Sequence, residues 1–231
     1  MKKITYITIV ILVAVLGIAF LLWWLNLKNS PEKPSSSYEH SDLNSALLSP
    51  ETNLENENKN DEEAKEDFQM PLDRASERIT KKPFGKFVTP KNSPVSPEKF
   101  YGYHTAVDFE IFPEEESVEV SIRTVCSGKL LEKRLATGYG GVAVQFCELD
   151  ESPITVVYGH LNLSSIKIAK GDNVNVGETL GILGKGYSDE TSGERKHLHL
   201  GFHKGAGINI LGYVPKESDL SNWLDPMLFL K

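Results

Sequence analysis

The hydrophobic and polar positions divide this chain into three parts of different character. Ile4 to Leu27 contains 24 successive residues without a formal charge, about 36 Å as a helix and enough to cross a bilayer. Residues 29–70 are rich in Ser, Asn, Pro and Glu and hold few large apolar side chains, which is typical of a disordered segment. After residue 74, short apolar and β-branched runs alternate with turn residues, which indicates a folded, mainly β domain.

The prediction of β-structure depends on six short runs rich in β-branched and aromatic residues. They are Val118–Val125, Lys129–Leu135, Val142–Phe146, Ile154–Tyr158, Glu178–Leu183 and His197–Phe202. Gly138–Gly141 and Lys170–Asn173 separate them as turns, and no long helical period interrupts the series. Thr80–Lys99 contains four prolines and is expected to be an irregular arm on the sheet, whereas Lys185–Lys196 is expected to be a loop beside the last strand.

The flanks of the apolar run indicate an uncleaved membrane anchor. Two lysines precede the run, and two tryptophans lie where an interfacial aromatic belt is expected. A secretory signal peptide would have a shorter apolar core and a small-residue cleavage site. We therefore expect a single-pass transmembrane anchor over 1–28, an acidic disordered linker over 29–73 and one domain over 74–231. The domain would lie on the extracytoplasmic side of the cytoplasmic membrane.

The formal net charge of −7 does not indicate a nucleic-acid partner. Residues 29–70 contain 11 Asp or Glu and 3 Lys or Arg, a net charge of −8, so the acidity belongs to the expected linker. The sequence has no basic patch and no nucleic-acid-binding motif. The candidate chemistry is therefore sought in the folded part.

Four of the six histidines lie in three short segments that also contain one aspartate. These segments are His104-x-x-x-Asp108, Tyr158-Gly159-His160 and His197-Leu198-His199. Neutral imidazole and Asp oxygen are zinc ligands, and a catalytic zinc typically takes three of them. Histidines beyond those three are then available for proton transfer. This pattern favours a metal-dependent hydrolase.

Spacing alone leaves the ligand set open. In an alternating strand, His197 and His199 project from one face, so both could reach one metal and a site of three histidines and one aspartate is possible. His104 and Asp108 would be about 13 Å apart in a straight strand, too far for two ligands of one ion at ~2 Å. The chain must therefore bend within Thr105–Val107.

Two other histidines are given no role in the site. His203 is interpreted as a surface residue at a strand end, and His40 lies in the polar linker. The charged run Glu194–Lys196 precedes the last strand. Its two cations could help to keep His197 neutral or could bind a substrate carboxylate. The run could equally be a solvated loop end, so it stays outside the predicted site.

The three segments, in this order, resemble the lysostaphin/LytM-like zinc metallopeptidases that cut peptide bonds in bacterial cell walls. The terminal Trp223-Leu224-Asp225-Pro226 also falls in the family's order, and the resemblance covers residues 74–231. Two positions depart from the pattern: Ala106 stands where relatives usually carry Gly, and Glu194–Lys196 stands where they often have small residues and Gly. The fold implied by the resemblance is a single antiparallel β-sheet metallopeptidase domain.

The resemblance also implies roles for five residues. His104, Asp108 and His199 would hold one Zn²⁺ per domain. His160 and His197 would be catalytic, handling protons and the charge that develops in the transition state.

The expected function is that of a membrane-anchored zinc-dependent endopeptidase, which would hydrolyse peptide bonds in peptidoglycan stems or cross-bridges. Its partners would be the peptidoglycan peptide and, through residues 4–27, the cytoplasmic membrane. The alternative is a binding or activator module for other cell-wall hydrolases. Such modules have lost zinc ligands, whereas all five residues are present here. A metal-buffering protein would carry several ligand clusters, and the sequence holds one. A regulatory protein is compatible with this reading but is not identified by the sequence.

The two cysteines, Cys126 and Cys147, flank a predicted hairpin. An even number of cysteines in a domain outside the reducing cytoplasm favours a disulfide, with two free buried thiols as the alternative. Both residues are distant in sequence from the histidine segments and lack C-x-x-C spacing. We therefore do not expect them to bind zinc.

Overall fold

The computed structural model describes residues 68–231. Within that range it contains thirteen short strands and six 3₁₀ helices. The strands are Phe87–Val88 (β1), Gly102–His104 (β2), Ala106–Glu110 (β3), Ser121–Arg123 (β4), Gly128–Ala136 (β5), Gly140–Leu149 (β6), Ser152–Gly159 (β7), Leu161–Asn162 (β8), Asn173–Val174 (β9), Thr179–Leu183 (β10), His197–Lys204 (β11), Tyr213–Val214 (β12) and Trp223–Leu224 (β13). The 3₁₀ helices are Ala75–Arg78, Pro113–Glu115, Leu163–Ser165, Asp189–Thr191, Glu217–Asn222 and Pro226–Leu228.

Several sequence predictions fall outside the described residues. They are the anchor over 1–28, most of the linker over 29–73, and the position of His40. Among residues 68–231, the structure contains no helix with the length and apolar character needed to span a membrane.

The strands of residues 68–231 form three antiparallel sheets. The largest has the order β13-β11-β7-β6-β5-β9, with β3 also paired to β11. A second sheet has the order β1-β2-β12, and a third has the order β4-β10-β8. The prediction of a mainly β fold is confirmed, and the prediction of a single sheet was wrong. The third sheet stays separate because its apolar side chains pack against the large sheet instead of extending its edge.

The core forms where one face of the large sheet meets the third sheet. Leu198 and Leu200 of β11 and Val156 of β7 lie in the same buried cluster as Ile122 of β4 and Leu180 of β10. Because side chains alternate across a strand, the residues between them in β7 and β11 face the opposite way. This alternation leaves the second face of the large sheet available for the histidines.

All six predicted strands are present. β5, β6, β7 and β11 are longer than predicted, whereas Val118–Val125 contains only the three residues of β4. The backbone beside β4 makes other hydrogen bonds, from the Thr124 N–H to the Glu178 carbonyl and from the Leu183 N–H to the Val120 carbonyl.

The start of the described chain packs against its end. Phe68 is buried in the core, and its carbonyl accepts a hydrogen bond from the N–H of Lys231. The Met70 N–H in turn donates to the Lys231 carbonyl. Phe68 and Met70, on the linker side of the expected boundary at residue 74, thus pack with the domain.

A disulfide joins Cys126 and Cys147, whose Cα atoms are 6.2 Å apart. A buried chain of hydrogen bonds lies beside it. The Val125 N–H donates to Tyr158 Oη at 2.9 Å, the Tyr158 hydroxyl donates to Gln145 Oε1 at 2.7 Å, and Gln145 Nε2 donates to the Cys126 carbonyl at 2.7 Å. Residues 125–126 are therefore fixed to the large sheet both covalently and by hydrogen bonds.

Candidate metal centre

Strand pairing brings the H-x-x-x-D segment and the H-L-H segment together. β3 pairs with β11 so that Asp108 lies directly opposite His199, and directly opposed residues of an antiparallel pair share one face. His104 is the last residue of β2 and Ala106 the first of β3, so the expected bend occurs at Thr105. The Thr105 hydroxyl donates to the Leu211 carbonyl at 2.6 Å. The bend brings His104 back towards Asp108.

Three potential ligand atoms of these residues form a nearly equilateral triangle. His104 Nε2 lies 3.2 Å from His199 Nδ1 and 3.3 Å from Asp108 Oδ1. The third side, from His199 Nδ1 to Asp108 Oδ1, is 3.2 Å. Tetrahedral zinc with bonds of 2.0–2.1 Å separates its ligands by about 3.3 Å. The described residues therefore contain a His-Asp-His group whose dimensions suit a metal ion.

The other nitrogen of each of these two histidines has a hydrogen-bond partner. His104 Nδ1 lies 3.3 Å from the Pro83 carbonyl. A carbonyl only accepts, so Nδ1 carries the hydrogen and Nε2 is left as a ligand atom. His199 Nε2 lies 3.0 Å from the Tyr139 hydroxyl, which can accept its hydrogen and leave Nδ1 free. Such partners orient metal-binding histidines and select their tautomers.

The charge states of Asp108 and His199 also favour metal binding. Burial opposes ionisation of Asp108, yet the neighbouring His197 and His104 hold the pKa of its carboxyl well below the usual range. Burial lowers the pKa of His199 to about 4, although its hydrogen bond to Asp108 acts in the other direction. At neutral pH the aspartate is charged and this imidazole is neutral, as metal ligation requires.

His197 and His160 lie beside the triangle. The His197 Nδ1 donates to the Arg195 carbonyl at 2.9 Å, so Nε2 is the nitrogen that can gain or lose a proton. That atom lies 3.3 Å from Asp108 Oδ2. The rings of His160 and His197 have their centroids 4.3 Å apart. The two imidazoles therefore stand next to each other at the edge of the candidate metal position.

His160 is held in an unusual conformation. Its φ is 63°, in the left-handed region that non-glycine residues seldom adopt and that occurs at functional sites. Its Nδ1 is buried and has no hydrogen-bond partner among the described residues. Burial lowers the pKa of His160 well below its usual range, with His197 and His199 adding to the effect, so its ring is neutral at neutral pH.

The three successive residues Tyr158, Gly159 and His160 lie in different surroundings. Tyr158 lies in the core, and His160 follows the end of β7. Gly159 lies opposite His199, where a Cβ atom would come within 2.5 Å of the Tyr139 ring and 3.2 Å of the His199 Cβ. Glycine is therefore required at this position by the close approach of two side chains.

Asp108, His160, His197 and His199 border one cleft of about 310 Å³. Its walls include Phe100 and Tyr213, whose rings stack at a centroid distance of 5.0 Å. The Lys82 ammonium lies between the Tyr213 hydroxyl at 3.0 Å and a Glu98 carboxylate oxygen at 2.6 Å. The arm over 80–99 thus contributes a buried ion pair to the cleft wall.

The structure brings the five residues singled out in the sequence into this one region. His203 lies elsewhere on β11, with its ring 4.9 Å from that of Trp223. Sequence reasoning left out five residues that lie at or beside the site: Lys82, Glu110, Tyr139, Arg195 and Tyr213. Arg195 belongs to the charged run that was kept outside the predicted site, and its side chain donates to Asp108. Glu110 carried a usable signal, because it follows Asp108 by two positions and therefore shares its face of β3. Lys82 carried none.

The sequence of this region matches a known family. Residues 102–210 match the model of peptidase family M23. This part of the chain is similar to M23 peptidase domains. The matched range contains all five candidate site residues, and the resemblance to LytM/lysostaphin-like peptidases is confirmed.

Individual relatives of the M23 domain match only parts of the chain. Endolysin 2638A of Staphylococcus phage 2638A is 32% identical over 100 residues, which are 43% of this chain and 19% of the endolysin. Csd3 of Helicobacter pylori is a structural neighbour with a TM-score of 0.42 and 22% identity, covering 71% of this chain and 33% of the Csd3 chain. LytU is another structural neighbour, with a TM-score of 0.45 and 22% identity. The match covers 66% of this chain and 83% of the LytU chain.

Proposed function

We propose that this chain is a membrane-anchored zinc endopeptidase that hydrolyses peptide bonds in peptidoglycan. The observation that carries the proposal is the triangle of His104 Nε2, Asp108 Oδ1 and His199 Nδ1, with sides of 3.2–3.3 Å. It is supported by the two further imidazoles beside the triangle. A metal site with adjacent proton-transfer groups is the arrangement that metal-assisted hydrolysis requires.

In this proposal the three ligands hold one Zn²⁺ per domain. Zinc bound there supplies Lewis-acid chemistry, polarising a carbonyl and making water acidic enough to attack at neutral pH. Asp108 balances part of the ionic charge, and the Pro83 carbonyl and Tyr139 hydroxyl keep the two imidazoles in the ligating tautomer.

His197 and His160 have separate roles in this proposal, proton transfer for His197 and stabilisation of developing negative charge for His160. His197 holds its Nδ1 hydrogen on the Arg195 carbonyl, so its Nε2 accepts the proton of the attacking water and passes it to the leaving amine. His160 is neutral and its Nδ1 has no hydrogen-bond partner among the described residues. It therefore offers an N–H to the oxygen that gains negative charge when the substrate carbonyl is attacked.

The substrate class rests on the family and on its relatives. An endolysin is 32% identical to this chain over 100 residues, and the family implies a peptidoglycan substrate. The location rests on residues 4–27, which have the length and apolar character of a transmembrane helix. With residues 29–67 as a linker, the domain would reach the wall from the outer side of the cytoplasmic membrane.

Digestion of purified sacculi by the full-length protein, followed by mass spectrometry of the products, tests the activity. The expected products are peptides cut at one type of bond. His197→Ala should abolish cleavage while keeping about one equivalent of zinc, whereas His199→Ala should lose most of the metal. Fractionation of cells producing the full chain and a form without residues 1–28 tests the anchor.

Three results would contradict parts of this proposal. Release of zinc by His197→Ala would favour the ligand set of three histidines and one aspartate. Zinc binding without any cleavage of sacculi would favour a binding or activator module. Recovery of the full chain in the soluble fraction would exclude the anchor.

A further inference from the structure

A buried cluster of charges surrounds the oxygen of Asp108 that points away from the metal triangle. Arg195 Nη2 donates to Asp108 Oδ2 at 2.9 Å. The same guanidinium donates through Nε to both carboxylate oxygens of Glu110, at 3.0 Å and 2.8 Å, and through Nη2 to Glu110 as well. All three side chains are buried. Arg195 therefore bridges two carboxylates in the wall of the cleft.

The two oxygens of Asp108 have separate partners as a result. Oδ1 faces His104 and His199, and Oδ2 faces Arg195 and His197. A carboxylate whose second oxygen accepts a hydrogen bond from an arginine presents one oxygen to a metal. Without the arginine, both oxygens could turn towards the ion, because the carboxylate would be free to rotate.

Arg195 also contacts His197 through its backbone. The Arg195 carbonyl accepts the hydrogen of His197 Nδ1, so one residue sets the orientation of Asp108 with its side chain and of His197 with its main chain. Glu110 lies directly opposite His197 in the pairing of β3 with β11. The position of Glu110, and through it that of the guanidinium, is thus determined by the same strand register that opposes Asp108 to His199.

We propose that Arg195 is a positioning residue that makes Asp108 a one-oxygen metal ligand, and that Glu110 holds Arg195 in place. The inference rests on the proposed function, since it assigns roles towards the metal of that site. A purely stabilising role explains the cluster less well. Burying two carboxylates and a guanidinium carries a desolvation cost that often cancels the attraction between them. Holding Asp108 in one orientation, by contrast, requires an arginine that contacts both Asp108 and Glu110.

The test compares metal binding by the full-length wild type, Arg195→Lys and the double variant Glu110→Gln/Arg195→Gln. Lysine keeps the charge but cannot bridge both carboxylates in the same geometry. The double variant removes the bridge without leaving Glu110 as an unpaired buried charge. Zinc affinity is measured by competition with a chromophoric chelator, and ligand geometry by the visible absorption spectrum of the cobalt(II)-substituted protein. Both variants should bind zinc about 10–100-fold more weakly and show an altered cobalt spectrum.

Arg78→Lys is the matched control. Arg78 is also buried and forms a two-point ion pair with Glu115, at 2.6 Å and 2.8 Å. It donates to the backbone carbonyl of Glu110 at 3.2 Å, a hydrogen bond that lysine can also make, and forms no ion pair with Asp108 or Glu110 among the described residues. It should lower the melting temperature while leaving zinc affinity and the cobalt spectrum unchanged.

Folded Arg195 variants with wild-type zinc affinity and cobalt spectrum would overturn the inference alone. Equal loss of zinc affinity in Arg78→Lys would overturn it too, because general destabilisation would then explain the effect. Failure of the wild type to bind zinc would overturn the proposed function together with this inference.

Discussion

Replacing Tyr158 with Phe should reduce stability without affecting the chemistry, although this tyrosine belongs to the segment that ends in His160. Its hydroxyl accepts from the Val125 N–H at 2.9 Å and donates to Gln145 Oε1 at 2.7 Å. Both partners are buried, so Tyr158→Phe leaves one donor and one acceptor without a hydrogen bond. The side chain lies on the face of β7 opposite the cleft.

The magnitude follows from those two groups. An unpaired buried donor or acceptor costs about 1–3 kcal/mol, and the variant no longer has to bury a hydroxyl, so we expect a net loss of about 2–4 kcal/mol in the free energy of unfolding. For a domain of this size that lowers Tm by on the order of 10 °C. Because the total stability of a folded domain is about 5–15 kcal/mol, the variant should remain folded at 25 °C.

Urea denaturation, thermal denaturation and zinc affinity should be measured side by side for the two proteins. Tyr101→Phe is the control, because Tyr101 is 65% exposed and the loss of its hydroxyl should change none of the three quantities. A Tyr158→Phe protein that keeps wild-type stability would refute the argument from unpaired groups. One that keeps its stability but loses zinc affinity would mean that Tyr158 has a role in the metal site.

Three other substitutions test separate parts of the structure. Tyr139→Phe removes the hydroxyl that lies 3.0 Å from His199 Nε2 and should weaken zinc binding about 10–100-fold; an unchanged affinity in chelator competition would count against this orienting role. Replacing both Cys126 and Cys147 with Ala opens a loop with a sequence separation of 21 and should cost about 3 kcal/mol in urea denaturation while leaving zinc affinity intact; alkylation of two thiols in the untreated wild type would contradict the premise. Gly159→Ala places a Cβ atom 2.5 Å from the Tyr139 ring and should cost about 1–3 kcal/mol from overpacking, with weaker zinc binding; wild-type behaviour in both assays would show that the site yields to a methyl group.

Features that depend on local alternation could be predicted from the sequence. The common face of His197 and His199 follows from the two-residue period of a strand, and the need for a bend after His104 follows from the length of an extended chain. The structure contains both, with the bend at Thr105. The division of roles between the metal-binding and proton-transferring histidines remains a prediction.

Features that depend on pairing between distant strands could not be predicted in this way. The contact of Arg195 with Glu110 requires the register between β3 and β11, and neither segment specifies that register by itself. The same reason explains the wrong prediction of one sheet. Short strands have the same composition whether they extend a sheet or pack across its face, so their membership depends on tertiary contacts.

The hydrogen bonds between Lys231 and residues 68–70 have a consequence for protein engineering. They place the two ends of the described domain side by side on one edge of the core. A few glycines should therefore suffice to join residue 231 to residue 68. New ends could be opened in an exposed turn such as Lys170–Asp172, which contains no residue of the cleft. Adjacent ends of this kind are the condition under which circular permutation and insertion into a host loop are tolerated. The domain should therefore be transferable into another protein by insertion at a single loop, because both of its ends can connect to the same loop.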